Sequence, residues 1–178
     1  RCRTLAFLDT AYFDDVMNKK ETYDHPAIEL VAVDNGKVIG LLDIEYETKE
    51  KTVCTRGNGL GGMIWHLAAH PDYQRQGIGS KLLQKAEKIS KEKGLNYLEA
   101  WTRDDDWVCA WYEKNGFQNV YSYLHVYAVS NELDHIFDTV KPGFYPVKAF
   151  AHYTGNERET IQSNFKRVHE CRCYIKYL

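Results

Sequence analysis

Between Leu67 and Leu83 the chain reads LAAHPDYQRQGIGSKLL, and the residues from Gln74 to Ser80 are of the types that hold anions. An apolar run to their left (Met63, Ile64, Trp65, Leu67, Ala68, Ala69) predicts a buried strand. His70-Pro71-Asp72 ends it, because proline has no N–H to give a ladder. To the right, Ile78, Leu82, Leu83, Ala86 and Ile89 recur at helical spacing. Gln74-Arg75-Gln76-Gly77-Ile78-Gly79 therefore sits where a strand hands over to a helix. The first N–H groups of a helix lack internal partners, and the helix dipole places partial positive charge there. Backbone donors from Gln76 to Ser80 are thus placed to converge on a phosphate or pyrophosphate. Gly77 and Gly79 carry no Cβ to hold a ligand off and tolerate positive φ, while Arg75 adds a mobile cation. Two familiar phosphate loops fit less well. The dinucleotide fingerprint needs a third glycine where Leu82 stands, and Gly79-Ser80-Lys81 lacks the upstream glycine of a P-loop. A plain packing turn is the alternative.

The rest of the chain must position this turn. Cys2 to Leu5 reads as a short strand, and Asp9 or Thr10 as the cap of a helix to about Lys20 with Ala11, Phe13, Val16 and Met17 on its apolar side. Strands over Glu29–Val33 and Val38–Tyr46 flank Asn35-Gly36, a strong hairpin signal. Glu47 to Gly59 reads as a long, mobile loop. The helix after the glycine turn runs to Lys93 and stops at Gly94. A strand over Leu95–Trp101 follows, then Arg103-Asp104-Asp105-Asp106, whose acids would satisfy the first donors of a helix ending at Gly116. Phe117–Val129 and Val168–Tyr177 are aromatic strands that pair, and Ser130 to Lys166 between them is irregular and aromatic. This order gives an α/β fold with a mixed sheet.

The 178 residues suffice for one domain with a real core. Hydrophobic residues at 44% and charged ones at 27% are ordinary for a soluble globular chain. A net charge of −2 argues against a nucleic-acid footprint, and no apolar run is long enough to span a membrane. The chain opens on Arg1 rather than Met, which leaves room for trimmed residues, a leader among them. Five Cys without CxxC spacing give neither a disulfide framework nor a metal site. Cys171 and Cys173 would share one strand face as core residues, and a reducing, cytoplasmic setting follows.

The turn, (Gln/Arg)-x-x-Gly-x-Gly after a strand and a proline, resembles the coenzyme A pyrophosphate loop of the GNAT superfamily of N-acetyltransferases. Trp111-Tyr112-Glu113-Lys114-Asn115-Gly116-Phe117 resembles the same family's YEKxGF signature. The resemblance covers Arg1 to Val129 and resumes at the last strand, so 130–166 reads as an insertion into a single 1–178 domain. It implies the GNAT fold, with a mixed central sheet flanked by helices, and acetyl-CoA as cosubstrate without a metal. It implies pyrophosphate contacts at Gln74, Arg75, Gln76, Gly77, Ile78, Gly79 and Ser80, and strand-like pairing of pantetheine with the backbone of Leu67 and Ala69. It also implies Tyr112 as general acid: a phenol near pKa 10 can share its proton as charge develops on sulphur. The alternative for Tyr112 is a core aromatic on an amphipathic helix with Trp107, Val108 and Trp111.

Relatives often carry a basic Glu or His on the strand before the turn, but those positions here are Met63 and Trp65. His66 is one residue off and faces away unless a bulge re-aims it. Glu45, Glu99, Asp104 and a water relay are its rivals. Relatives also often hold pantetheine with an Asn near Asp104-Asp105, whose acids more simply cap a helix. The resemblance implies acetyl transfer to a primary amine of a small molecule or peptide by direct attack, since no Cys but Cys109 lies near either motif. A catalytically weak acyl-CoA-binding module and a purely structural α/β domain are the competing readings. The aromatics of 130–166 fit an acceptor pocket, a covered sheet edge or a dimer contact equally.

Overall fold

The computed structural model describes every residue of the chain except Val16, Asn18 and Thr139. Helix α1 (Cys2–Phe7) replaces the strand expected at Cys2–Leu5. Its buried residues, Cys2 and Ala6, are one helical turn apart on a single face, a spacing too short to read as periodicity in a six-residue segment. The helix expected to run on to Lys20 is replaced by turns over 11–14, and Val16 of that expectation lies outside the described residues. Side chains from distant elements take the backbone groups such a helix would need. The Ala11 N–H goes to the Asp105 carboxylate, and the Ala11 carbonyl accepts from Arg103 and Arg167. The Thr10 hydroxyl bonds locally to Phe7 O and Tyr12 N, a further competitor of helix.

Strands β1 (Ala27–Asp34) and β2 (Lys37–Tyr46) form the expected hairpin, with φ of 47° at Asn35 and 76° at Gly36, both positive as a type I′ turn requires. Then come β3 (Gly61–Ala69), α2 (Ile78–Glu92), β4 (Tyr97–Thr102), α3 (Asp106–Lys114), β5 (Gln118–Val129), β6 (Lys148–Tyr153), α4 (Arg158–Asn164) and β7 (Arg167–Tyr177). They form one mixed seven-stranded sheet ordered β1-β2-β3-β4-β7-β5-β6, an α/β fold. The stretch 130–166 is not irregular throughout, since β6 pairs antiparallel with β5 at the sheet's edge. Its alternation of Ala149 and Ala151 with Phe150 and His152 gives two faces with little strand propensity in the alanines.

One face of the sheet carries the main core. Leu82, Leu83 and Ala86 of α2 and Cys109 and Tyr112 of α3 pack there on Leu42, Ile44, Ile64, Leu98 and Tyr174. On the other face, Cys54, Met63, Tyr97, Cys173 and Ile175 make a second cluster, and Arg3 of α1 reaches His66 of β3.

The stretch from Glu47 to Gly59 is not a free loop. The buried Glu47 carboxylate accepts from the N–H groups of Val53, Cys54 and Gly61 at 2.8–3.1 Å. Glu99, with no exposed surface, accepts from Thr55 N, Thr55 Oγ1, Arg56 N and Trp101 Nε1. Glu99→Ala strands these donors in the interior, at about 1–3 kcal/mol for each group left unpaired. We expect Glu99→Ala to lower unfolding free energy by about 3 kcal/mol or more, and Glu99→Gln to lose less, measured by denaturant melts.

Candidate active site

The parallel strands β3 and β4 pair only from Gly61↔Tyr97 to Ile64↔Ala100. Beyond that point β3 continues beside β2 and β4 continues beside β7, so the sheet parts. Trp65 to Ala69 therefore present backbone without a partner strand on the β4 side. The glycine turn sits just past the end of β3, and a cleft of about 2130 Å³ runs along the opening. Leu67, Ala69, Gln74, Arg75, Gly77, Ile78, Gly79, Ser80 and Tyr112 all line it. The Gln76 side chain is turned instead to Asp72 O at 3.4 Å, and the Gln74 amide reaches Ala69 O at the same distance.

Arg75 and Gly77 hold positive φ of 59° and 78°, and Gly77 is the N-cap of α2. Among the described residues no side chain caps this helix, and Lys81 N–H is the first donor given back to the turn, to Gly77 O at 3.0 Å. Among the described residues, no hydrogen bond occupies the N–H groups from Gln76 to Ser80. These donors stand unpaired among the described residues at the positive end of a fifteen-residue helix.

Tyr112 is buried, its ring stacked on Tyr174 at 5.4 Å and edge-on to Phe117 at 5.2 Å. Its hydroxyl has no hydrogen-bond partner among the described residues while its side chain lines the cleft. Burial, with Cys109 beside it, raises the phenol's pKa, so the ring keeps its proton.

The sequence alternatives for a base divide clearly. A bulge sets Asp43 opposite His66 and Ile44 opposite Ile64, leaving Trp65 unpaired. His66 is thereby turned from the α2 face to the face shared by Asp43 and Glu45. Its Nδ1 accepts from Arg3 Nε at 3.3 Å and its Nε2 lies 2.6 Å from Glu21 Oε2. Burial and Arg3 lower its pKa against the opposing pull of Glu21. Glu45 accepts from His25 N, His25 Nδ1 and Trp65 Nε1. Burial raises its carboxyl, but these donors outweigh it and hold the pKa below the usual value. Glu99 is consumed by the loop it anchors. Asp104 accepts from His169 Nδ1 and Glu170 N at 3.0 and 2.9 Å. The capping expected of Asp104-Asp105 is absent: the Asp105 side chain makes no cap bond to α3 and holds Ala11 N instead.

Two residues of the cleft escaped sequence reading. Arg103, 2% exposed, donates to His125 Nδ1 at 3.1 Å, to Asp15 Oδ2 at 3.0 Å and to the Tyr127 hydroxyl, and lies over the Tyr12 ring. It ties the 11–15 turns to β5. With burial first and Arg103 next, His125 is lowered to about 3 and stays neutral. Glu21 is the other. Their partners lie 22 to 92 positions away for Arg103 and 45 for Glu21, so no local spacing marks either. Beyond His125, Phe150 and His152 of β6 line the same cleft, with the His125 and His152 rings stacked at 4.8 Å. The aromatic 130–166 stretch thus both covers the edge of β5 and walls the cleft.

Fold and site together define a class of α/β proteins in which a mixed sheet parts in front of a glycine turn at a helix N-terminus. The profile of the acetyltransferase (GNAT) family matches residues 2–117, and the chain belongs to that family. It is 28% identical over 109 residues to an acetyltransferase of Pectobacterium atrosepticum, covering 60% of this chain and 70% of that one. It is 31% identical over 93 residues to N-alpha-acetyltransferase 30 of Schizosaccharomyces pombe, covering 52% of this chain and 58% of that one. Among solved structures, the ribosomal-protein-S18-alanine N-acetyltransferase of Escherichia coli superposes with a TM-score of 0.51 at 16% identity, over 85% of this chain and 68% of that one. A protein described as a streptothricin acetyltransferase of Bacillus anthracis, solved with acetyl coenzyme A, gives 0.53 at 14% identity over 97% of this chain and 70% of that one. At these identities the likeness shows the fold alone. No helix among the described residues is long and apolar enough to cross a membrane.

Proposed function

We propose that the chain moves an acetyl group from acetyl-CoA to a primary amine by direct attack. The observation that carries this is the juxtaposition along one cleft of the glycine-turn N–H donors from Gly77 to Ser80 with the Tyr112 hydroxyl, none of them hydrogen-bonded among the described residues. The pyrophosphate would lie on the glycine turn with Gln74 and Arg75 beside it. Pantetheine would run along the open edge of β3 at Leu67 and Ala69, bringing the thioester to the gap between β3 and β4. There the amine lone pair attacks the carbonyl carbon, the C–S bond breaks, and Tyr112 shares its proton with the leaving sulphur. The same burial that raises the phenol disfavours a bare thiolate, which keeps the two proton affinities comparable. The five cysteines are free and buried, so no covalent acyl-cysteine step is invoked and a reducing, cytoplasmic setting suits the chain. Residues 1–178 are read as one such domain with 130–166 inserted. Both small-molecule amines and peptide amino termini stand as acceptors, the latter favoured by the Schizosaccharomyces pombe relative's name.

Coenzyme A at 100 times its dissociation constant is expected to stabilise the folded protein by about 2.7 kcal/mol, read as a thermal shift. No shift would remove both the enzyme and the binding-module readings. The binding-module alternative draws on Met63 and Trp65, which put no base on β3 next to the gap. Turnover of acetyl-CoA with primary amines decides between the two.

A further inference from the structure

The acceptor reaches the cleft as an ammonium ion near neutral pH, and its proton must be taken before nitrogen can attack. The groups named by sequence are already committed. Glu45, Glu99 and Asp104 each accept from two or more donors. Asp14 and Asp15 face Arg167 and Arg103 at 2.6 and 3.0 Å. An arginine only donates, so Nδ1 of His66 and of His125 must be acceptors. In the neutral rings Nε2 then carries the proton, donated to Glu21 by His66 and to the Tyr123 hydroxyl by His125. Neither imidazole keeps a lone pair for an incoming proton.

Resting on the acetyl-transfer reading above, we propose that the Glu21 carboxylate is the acceptor-ammonium site and takes the proton. Its Oε2 is held at 2.6 Å by His66, while no hydrogen bond among the described residues engages Oε1. The side chain is 36% exposed and lines the cleft. His66 lies on β3 between Trp65 and Leu67, on the edge that β4 leaves open, so the carboxylate stands one hydrogen bond from the gap. It approaches from the face carrying α1, whereas Tyr112 approaches from the α2–α3 core. Base and acid thus flank the thioester position from opposite faces of the sheet. The charged and titratable groups around Glu21 are Arg3 of α1, His66 of β3, Asp43 of β2 with Tyr23 on it at 3.2 Å, and Glu29 of β1 paired with Lys20. Arg3 fixes His66, and His66 fixes Glu21, leaving one carboxylate oxygen without a hydrogen bond among the described residues on a side chain that lines the cleft. In the balanced step, one ammonium proton passes to Glu21 Oε1 and the freed lone pair forms the C–N bond. Sulphur leaves with the C–S pair and takes the Tyr112 proton, and the phenolate recovers the second nitrogen proton. Glu21 returns its proton to solvent.

The test uses the full chain with acetyl-CoA and three probe amines: ethanolamine, spermidine and a short peptide with a free amino terminus. Glu21→Gln is expected to lower kcat/KM about 100-fold at pH 7. The defect should shrink below about tenfold by pH 9.5, because a far larger share of the amine then arrives already neutral than at pH 7. Glu21→Asp should keep intermediate activity, and the coenzyme A thermal shift should match wild type in both variants. An equal loss at both pH values would make Glu21 structural, and activity within twofold of wild type at pH 7 would remove its role altogether. Wild type that binds coenzyme A but acetylates none of the amines overturns the acetyl-transfer reading itself, a separately recognisable failure.

Discussion

Tyr112→Phe is expected to lower kcat by about 100- to 1000-fold, within the range for loss of one general acid, while the dissociation constant for coenzyme A stays within about twofold. The geometry makes this substitution unusually clean. Phenylalanine preserves the stack on Tyr174 at 5.4 Å and the edge contact to Phe117. The hydroxyl it removes has no protein partner among the described residues, so no donor or acceptor is stranded and the melting temperature should barely move. A purely structural tyrosine at this position would give a near-silent variant. Parallel loss of rate and coenzyme affinity would mean instead that the hydroxyl serves binding, and the acid role would go. Slow turnover with intact binding is the one pattern that places its effect in the transition state. Steady-state kinetics with calorimetric titration of coenzyme A measure both quantities.

What could be read from the chain without coordinates was local. Asn35-Gly36 demands positive φ at two successive residues, and the hairpin is there. The glycine turn combines a strand stop, two glycines and a helical period within twenty residues, so its position followed from short-range rules alone. The errors share the opposite property. Turns replace the helix expected after Asp9 because Arg103, Asp105 and Arg167, about 90 to 156 positions away, claim the backbone of Ala11. Asp104 and Asp105 follow the capping pattern by type, yet partners on β7 and at Ala11 take their carboxylates. The outcome for His66 turned on a single extra residue, Trp65, since a one-residue slip exchanges the two faces of a strand. No composition or periodicity encodes that bulge. Glu21 lies in a segment without regular structure, where neither helical nor strand spacing picks out a side chain.

Gly77→Val should abolish coenzyme A binding in a protein that still folds. Gly77 has φ of 78°, a region that costs a residue with a Cβ about 1–2 kcal/mol, and more when that Cβ is branched. Yet an added Cβ would meet no atom within 4 Å, so the fold has room for it and the penalty is confined to the turn. The open space is the space through which a diphosphate would reach the donors of Gln76 to Ser80. Filling it blocks the approach, and relaxing the strained φ would swing those donors apart. Charge-assisted hydrogen bonds contribute about 1.5–3 kcal/mol each, so losing two weakens binding by at least about 100-fold. Gly77→Ala carries much of the strain with less bulk and should fall between wild type and valine. At Gly79 an added Cβ would touch only Trp111, at 3.5 Å, an ordinary contact that leaves the helix undisturbed. Calorimetric titration against all three proteins separates the causes: a graded loss from alanine to valine assigns the effect to steric exclusion, and an equal loss assigns it to the backbone. Binding unchanged in the valine variant would take the diphosphate away from this turn, and the positioning of the thioester beside Tyr112 with it.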